Sequence, residues 1–466
     1  MIDDSIPSSW YATEVMAQSK TLTTFDWLDT ISDDLVAASD RKGLARVKTS
    51  SPQREFWQKA EDLAHGMSGD RILSQVVLGY SPVMDQRHGV IATRLTVVPL
   101  DVDAPLDAGS LLREVSDVWP EGTGAVSLNL ASETLLRDLL QTTPTPNVMI
   151  EVPAFVAVDP ANVLAIRTLA SRGNLLLLKG RPERELPPAV LPCFKWAIID
   201  IADDRRIGRI NEPPSSRRTI PHIHIGVHTM AQLRQSFSYG AIAVIGWPID
   251  DPIADQVSPR HDLQIVLQLI HRVDRHDAVA AIERTLIRDF VLAYDLLNHV
   301  NATPAAVAFE TSSIHHAITL FGPERMRRWL GQKLADASDD TGLRPANFSA
   351  LRRAIMMRLL ANVSSSHEVR GEMFMCGFFS LLDRVMGKPA EELWKSLVIP
   401  QGMRQALVDR VGPLFMLLEL IRAIESEVPQ DIRQAASGLF IEPLEINCAL
   451  MSSLNIASIL ESDVDF

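Results

Sequence analysis

With 466 residues, 46% of them hydrophobic and 22% charged, the chain has the composition of a globular protein of two or three domains, each able to bury a core. Its 45 basic and 58 acidic residues give a formal net charge of −13, which excludes attraction to nucleic acid or an anionic membrane through overall charge. Cys193, Cys376 and Cys448 lie far apart with no Cys-x-x-Cys spacing, so neither a disulfide framework nor a zinc site is expected, and a reducing cytoplasm fits.

The opening MIDDSIPSSW lacks the basic end and apolar run of a signal peptide, and no uninterrupted apolar segment of about 20 residues follows, so no membrane span is expected. Residues 1–70 mix polar residues with short apolar clusters such as Phe56-Trp57 and read as a loosely ordered extension. Eight β-rich runs follow: VVLGY at 76–80, VIATRLTVV at 90–98, AVSLNL at 125–130, VMIEV at 148–152, NLLLL at 174–178, WAIIDI at 196–201, HIHIGV at 222–227 and AIAVIG at 241–246. Amphipathic segments at 111–118, 133–140, 160–171 and 230–239 alternate with the runs, a pattern that predicts a mainly parallel sheet covered by helices. A closed eight-stranded β/α barrel over 71–255 is the economical solution. Its first two runs, joined by the short MDQRHG, must pair antiparallel. The basic group Arg205, Arg206, Arg209, Arg217 and Arg218 surrounds Pro-Pro-Ser-Ser and reads as a solvated loop, which leaves nucleic acid without a binding patch.

From about Pro252 the β signal vanishes, and 256–466 is expected to be all-helical. Leu286, Ile287, Phe290, Tyr294 and Leu297 recur at helical spacing, with Arg288, Asp289, Asp295 and Asn298 largely opposite them. That helix ends near Asn301 and Thr303-Pro304, and a second begins at Ser312-Ser313, carries Ile314, Ala317, Ile318 and Phe321, and stops at Gly322-Pro323. The order of Asp289, Tyr294, Asn301, Ser313, Ile314, Gly322 and Trp329 in DFVLAYDLLNHVNATPAAVAFETSSIHHAITLFGPERMRRW resembles the HDOD family. Its members are all-helical relatives of HD-type metal hydrolases that have lost the metal ligands. Further on, GEMFMCGFFSLLDRVMG is apolar nearly all round and is expected to form a buried central helix.

The barrel, opening on a hairpin and preceding this module, looks like the EAL domains, cyclic di-GMP phosphodiesterases whose resemblance implies two divalent metals held by strand-end carboxylates. Under that resemblance the signature glutamate falls on Arg94, while Asn129 and Glu151 keep the family's amide and carboxylate. Lys179-Gly180 replaces an aspartate pair, Ile198 replaces a catalytic lysine, and Asp200 survives. Two later glutamates fall on Ile225 and His228, and a glutamine on Ile245. Cations at Arg94 and Lys179 beside Glu151 and Asp200 imply ion pairs rather than a metal centre, so no metal, no cofactor and no catalytic residue are expected.

Two histidine patterns remain. His222, His224 and His228 share a strand parity, but Ile223, Ile225 and Val227 make ordinary alternation sufficient to explain it. His261-Asp262 and His276-Asp277 lie in charged, solvent-like text and complete no metal set. The resulting expectation is a non-catalytic bacterial signalling protein acting through protein contacts of its helical half. A cyclic di-GMP sensor without hydrolysis and a residual phosphodiesterase are the alternatives.

Overall fold

The computed structural model describes residues 71–101, 103–119, 124–204, 220–249, 260–302, 313–338, 342–361, 365–395, 397 and 399–462. All of them belong to one compact unit, Ala60–Phe466. The expected extension at 1–70, the basic group at 205–218 and Thr303-Pro304 lie outside the described residues.

The class read from the sequence, α/β followed by all-α, is the one the chain adopts. Eight strands close a barrel in sequential order: β1 Val76–Met84, β2 Val90–Pro99, β3 Ala125–Leu130, β4 Val148–Pro153, β5 Leu176–Lys179, β6 Phe194–Asp200, β7 His222–Val227 and β8 Ala243–Gly246. As expected, β1 runs antiparallel to β2, and it also meets β8 antiparallel; the remaining neighbours are parallel. The connecting turn is built by Asp85, whose carboxylate accepts from the N–H groups of Arg87 and Gly89, both at 2.9 Å. Strand alternation sends Val83, Ala92, Met149, Leu177, Ile198, Ile223, Ala243 and Ile245 into the barrel, where they fill its lower interior.

Helices numbered here are those of seven or more residues. Four cover the barrel: α1 Ala108–Val118, α2 Glu133–Leu139, α3 Val163–Ser171 and α4 Met230–Ser238. Local chemistry starts them, with Asp107 and Ser132 as N-caps and Thr229 with Gln232 forming a full capping box.

The helical half contains α5 Leu263–Asp274, α6 Val279–Leu286, α7 Phe290–Asn301, α8 Ile314–Phe321, α9 Pro323–Asp336, α10 Arg344–Leu359, α11 His367–Phe378, α12 Pro413–Ser426, α13 Pro429–Leu439 and α14 Pro443–Ser462. Its last three helices pack on β1, which is buried along its whole length. Asn447 on α14 fastens that strand: its Oδ1 accepts from the Leu78 N–H at 3.1 Å, and its Nδ2 donates to the carbonyls of Leu73 and Val76 at 2.8 and 2.9 Å. Among the described residues one stretch, Pro443–Glu461, is long and apolar enough to cross a membrane, and 67% of its most apolar window is buried inside this fold.

One sequence expectation fails here for a physical reason. The single helix expected through Leu286 and Phe290 is two, because Asp289 turns extended and accepts from the Leu292 N–H at 2.9 Å as the N-cap of α7. The Met373 segment is buried over most of its length, as expected, but its helix α11 ends at Phe378, and the most completely buried helix is α10. Every residue from Pro345 to Leu359 is buried, while α11 is buried only toward its C-terminal end. Arg352 and Arg353 are buried within α10 and neutralised by Glu425 of α12. Gly377 permits the α10–α11 crossing, since a Cβ there would stand 2.6 Å from the Arg353 carbonyl oxygen.

Candidate functional site

The inward positions of β2–β6 change from apolar to polar toward their C-terminal ends, the face on which β/α barrels carry their chemistry. Arg94 comes from β2, Ser127 and Asn129 from β3, Glu151 from β4, Lys179 from β5 and Asp200 from β6. Arg94 is buried, and its Nε and Nη2 donate to Glu151 Oε1 and Oε2 at 2.7 and 3.0 Å, a bidentate pair. Ser127 Oγ adds a third donor to Glu151 Oε1 at 3.0 Å. Lys179 Nζ donates to Asn129 Oδ1 at 2.6 Å, and Asn129 Nδ2 donates onward to Thr96 Oγ1 at 3.0 Å.

One member of the cluster comes from far along the chain. Glu427, the left-handed cap that ends α12, accepts from Arg94 Nη1 at 2.6 Å and from Ser81 Oγ at 2.9 Å. Burial opposes charge on the Arg94 guanidinium, but Glu151 and Glu427 outweigh it and push its pKa up. On Lys179 burial dominates and lowers the ammonium pKa; Glu151 and Glu427 resist this shift, while Arg94 adds to it.

The sequence candidates therefore divide. Arg94, Glu151, Asn129 and Lys179 form a continuous network, with Lys179 on the Asn129 amide rather than on Asp200. Asp200 is exposed and accepts from the Ala202 N–H at 2.9 Å, capping the turn after β6. His228 is exposed ahead of α4, where its N–H donates to Gln232 Oε1 at 2.8 Å. Glu427 carried no sequence signal, being 333 positions from its Arg94 partner.

These residues do not fit the pair of divalent ions that the resemblance implies. Hard cations need free oxygen donors, yet both Glu151 oxygens are taken by Arg94 and the Asn129 oxygen by Lys179.

Elsewhere, His222 and His224 join Asp204 on the outer side of β7, with all three potential ligand atoms within 4.8 Å of one another. His224 Nε2 and Asp204 Oδ2 are 2.9 Å apart, and His228 is not part of the group. In the helical half, His261 and Asp262 are buried, against the solvent-like reading of their sequence. His261 Nε2 lies 3.3 Å from Asp295 Oδ2 and its Nδ1 3.7 Å from Asp289 Oδ2, while Lys333 pairs with the same Asp295 oxygen. Tyr294 donates its hydroxyl to the Leu393 carbonyl at 2.5 Å, and Asn301 closes α7. Ser313 caps α8, Ile314 is buried behind it, Gly322 at φ 73° joins α8 to α9, and Trp329 is buried against Phe321. Asp295, Asn298, His299, Trp329, Gln332 and Lys333 line a recess of about 400 Å³.

No family model matches the chain. It is 28% identical over 322 residues to the cyclic di-GMP phosphodiesterase CdgJ of Vibrio cholerae, a match spanning 66% of this chain and 72% of that protein. It is 23% identical over 311 residues to the uncharacterized protein YuxH of Bacillus subtilis, across 63% of this chain and 75% of the other. Among solved structures, the phosphodiesterase PaMucR in complex with c-di-GMP is 17% identical over 37% of this chain and 95% of its own, with a TM-score of 0.27. The EAL-like protein YdiV is 14% identical over 38% of this chain and 94% of its own, with a TM-score of 0.26. Superpositions this loose carry no argument. The Vibrio relationship, however, corrects the expectation of a chain without catalysis, acting only through protein contacts: a relative matching across two thirds of the length is a phosphodiesterase. Substitutions at individual strand ends were too narrow a basis, because a barrel mouth is shaped by many strand ends and loops together. The barrel is thus an eight-stranded β/α barrel in a chain that is similar to a cyclic di-GMP phosphodiesterase.

Proposed function

We propose that this chain acts on cyclic di-GMP as a phosphodiesterase-type signalling protein. In this reading residues 71–255 form the EAL-like domain, residues 256–466 an HDOD-type domain that meets protein partners, and residues 1–70 an extension. The relationship to the Vibrio phosphodiesterase carries the reading, since a match of 322 residues is longer than the barrel and extends beyond it. The mouth supplies compatible chemistry. Arg94 and Lys179 are the cations for the phosphodiester groups, Arg94 through its Nη1 edge, since Nε and Nη2 are held by Glu151. Asp200 is the strand-end carboxylate facing solvent and the candidate proton acceptor.

The test is turnover of cyclic di-GMP by the full chain, with and without Mg²⁺ or Mn²⁺, with products separated chromatographically. A linear dinucleotide should accumulate, and Asp200→Ala should lower its rate at least ~100-fold. Wild-type product formation no faster than that of Asp200→Ala would overturn the reading.

A further inference from the structure

Glu427 belongs to the helical half, yet its carboxylate completes the polar network of the barrel mouth. The approach is close because Gly79 has no side chain: a Cβ at that position would lie 3.0 Å from Glu427 Cα and 3.1 Å from its Cβ. The backbone cooperates, since Glu427 sits at φ 57°, the left-handed conformation that ends α12 and turns the chain toward α13. Two donors then fix the carboxylate, Arg94 Nη1 on one oxygen and Ser81 Oγ on the other. Its side chain is 18% exposed against 1% for Arg94, so the carboxylate covers the Nη1 edge of the guanidinium that Glu151 leaves free, an edge that also donates to Thr96 Oγ1 at 3.3 Å.

Charge makes the arrangement exchangeable. Arg94 and Lys179 balance Glu151 and Glu427, so withdrawal of Glu427 leaves one net positive charge behind a polar rim, a setting that attracts an anion. An oxygen of a phosphodiester can accept from Arg94 Nη1 and Ser81 Oγ as a carboxylate oxygen does.

We infer that Glu427 is an internal stand-in for a phosphate: the α12–α13 corner occupies the anion position over Arg94 and competes with ligand for it. The phosphate ligand named here, cyclic di-GMP, rests on the function proposed above; the competition itself does not. The helical half thereby regulates the barrel, since any partner or motion that draws the corner off β1 uncovers Arg94.

Calorimetry on the full chain tests this with two probes, cyclic di-GMP and inorganic pyrophosphate, on wild type, Glu427→Gln and Glu427→Gly. The glycine variant removes the carboxylate while suiting the left-handed backbone, so it keeps the corner folded. Both variants should bind pyrophosphate roughly tenfold more tightly than wild type, the scale of one charge-assisted hydrogen bond. Cyclic di-GMP should gain by a similar factor. Unchanged pyrophosphate affinity in Glu427→Gly would overturn the stand-in. A gain for pyrophosphate without any binding of cyclic di-GMP would uphold it and reject the nucleotide reading instead.

Discussion

Glu425 and Glu427 stand two residues apart at the end of α12, and they serve opposite settings. Glu425 turns into the helical half, where Arg353 donates to its two oxygens at 2.9 and 2.5 Å and Arg352 pairs with it as well. The Arg352 guanidinium also lies 5.0 Å from the centre of the Tyr80 ring on β1, and 5.8 Å from that of Trp247. Every group in that network is buried. Glu427 turns instead to the barrel mouth and meets one arginine already bound to Glu151. Sealed from water, the first network has no alternative partner, so its ions fix the joint between barrel and helices. The second lies beside solvent, where a mobile anion can take the carboxylate's place.

The sharpest way to break this comparison is to remove each carboxylate in turn. Glu425→Ala leaves two buried guanidinium groups without their anion and should destabilise the fold by about 4 kcal/mol. Chemical denaturation monitored by tryptophan fluorescence measures it. Glu427→Gln leaves Arg94 paired with Glu151 and should cost no more than about 1 kcal/mol. Equal losses would show that both carboxylates are structural and that the mouth is as sealed as the joint.

A third buried cluster sharpens the contrast because it titrates in an accessible range, whereas arginines do not. Burial opposes charge on His261, but Asp289 and Asp295 prevail and lift its pKa to about 9. Lys333, paired with Asp295, also faces this group. A histidine raised above its unfolded value contributes stability fully present below about pH 6.5 and lost as pH rises through about 9. Unfolding free energy should therefore fall by ~3 kcal/mol between pH 6 and 9.5, and His261→Gln should flatten that slope. A slope unchanged in the variant would place the titration elsewhere.

How much of this was readable beforehand follows from the range of the interactions. Strand alternation and the short MDQRHG link act over a few residues, so the barrel and its antiparallel opening were legible. The Arg94–Glu151 pairing was legible as well, since both lie at the inward ends of neighbouring strand runs. Glu427 was not, because a single glutamate after an amphipathic helix looks like any solvated cap. The burial of the α10 arginines was not legible for the same reason: their counter-charge, Glu425, lies 73 and 72 positions away from Arg352 and Arg353. His261 and Asp262 read as surface until α7 brought Asp289 beneath them. Activity was the hardest to read, since the loss of particular ligands does not measure what the whole mouth can do.

The finest test of the comparison concerns the hydrogen bond that joins the two halves at the mouth. Ser81 Oγ donates to Glu427 Oε1 at 2.9 Å, across a boundary that α12 and β1 share. Neither partner is essential to its own element: Ser81 lies in a strand held by its β2 ladder, and the Glu427 backbone conformation is available to glycine. A double-mutant cycle of Ser81→Ala and Glu427→Gly therefore isolates the contact with little collateral change. Coupling of about 1 kcal/mol in unfolding free energy is expected for a part-buried bond to a charged acceptor. The same cycle built on Glu425 and Ser81 should show none, because Glu425 makes its bonds within the helical half. Coupling to both would mean that the end of α12 moves as one rigid piece, and the separation between a fixed joint and an exchangeable plug would then collapse into a single interface.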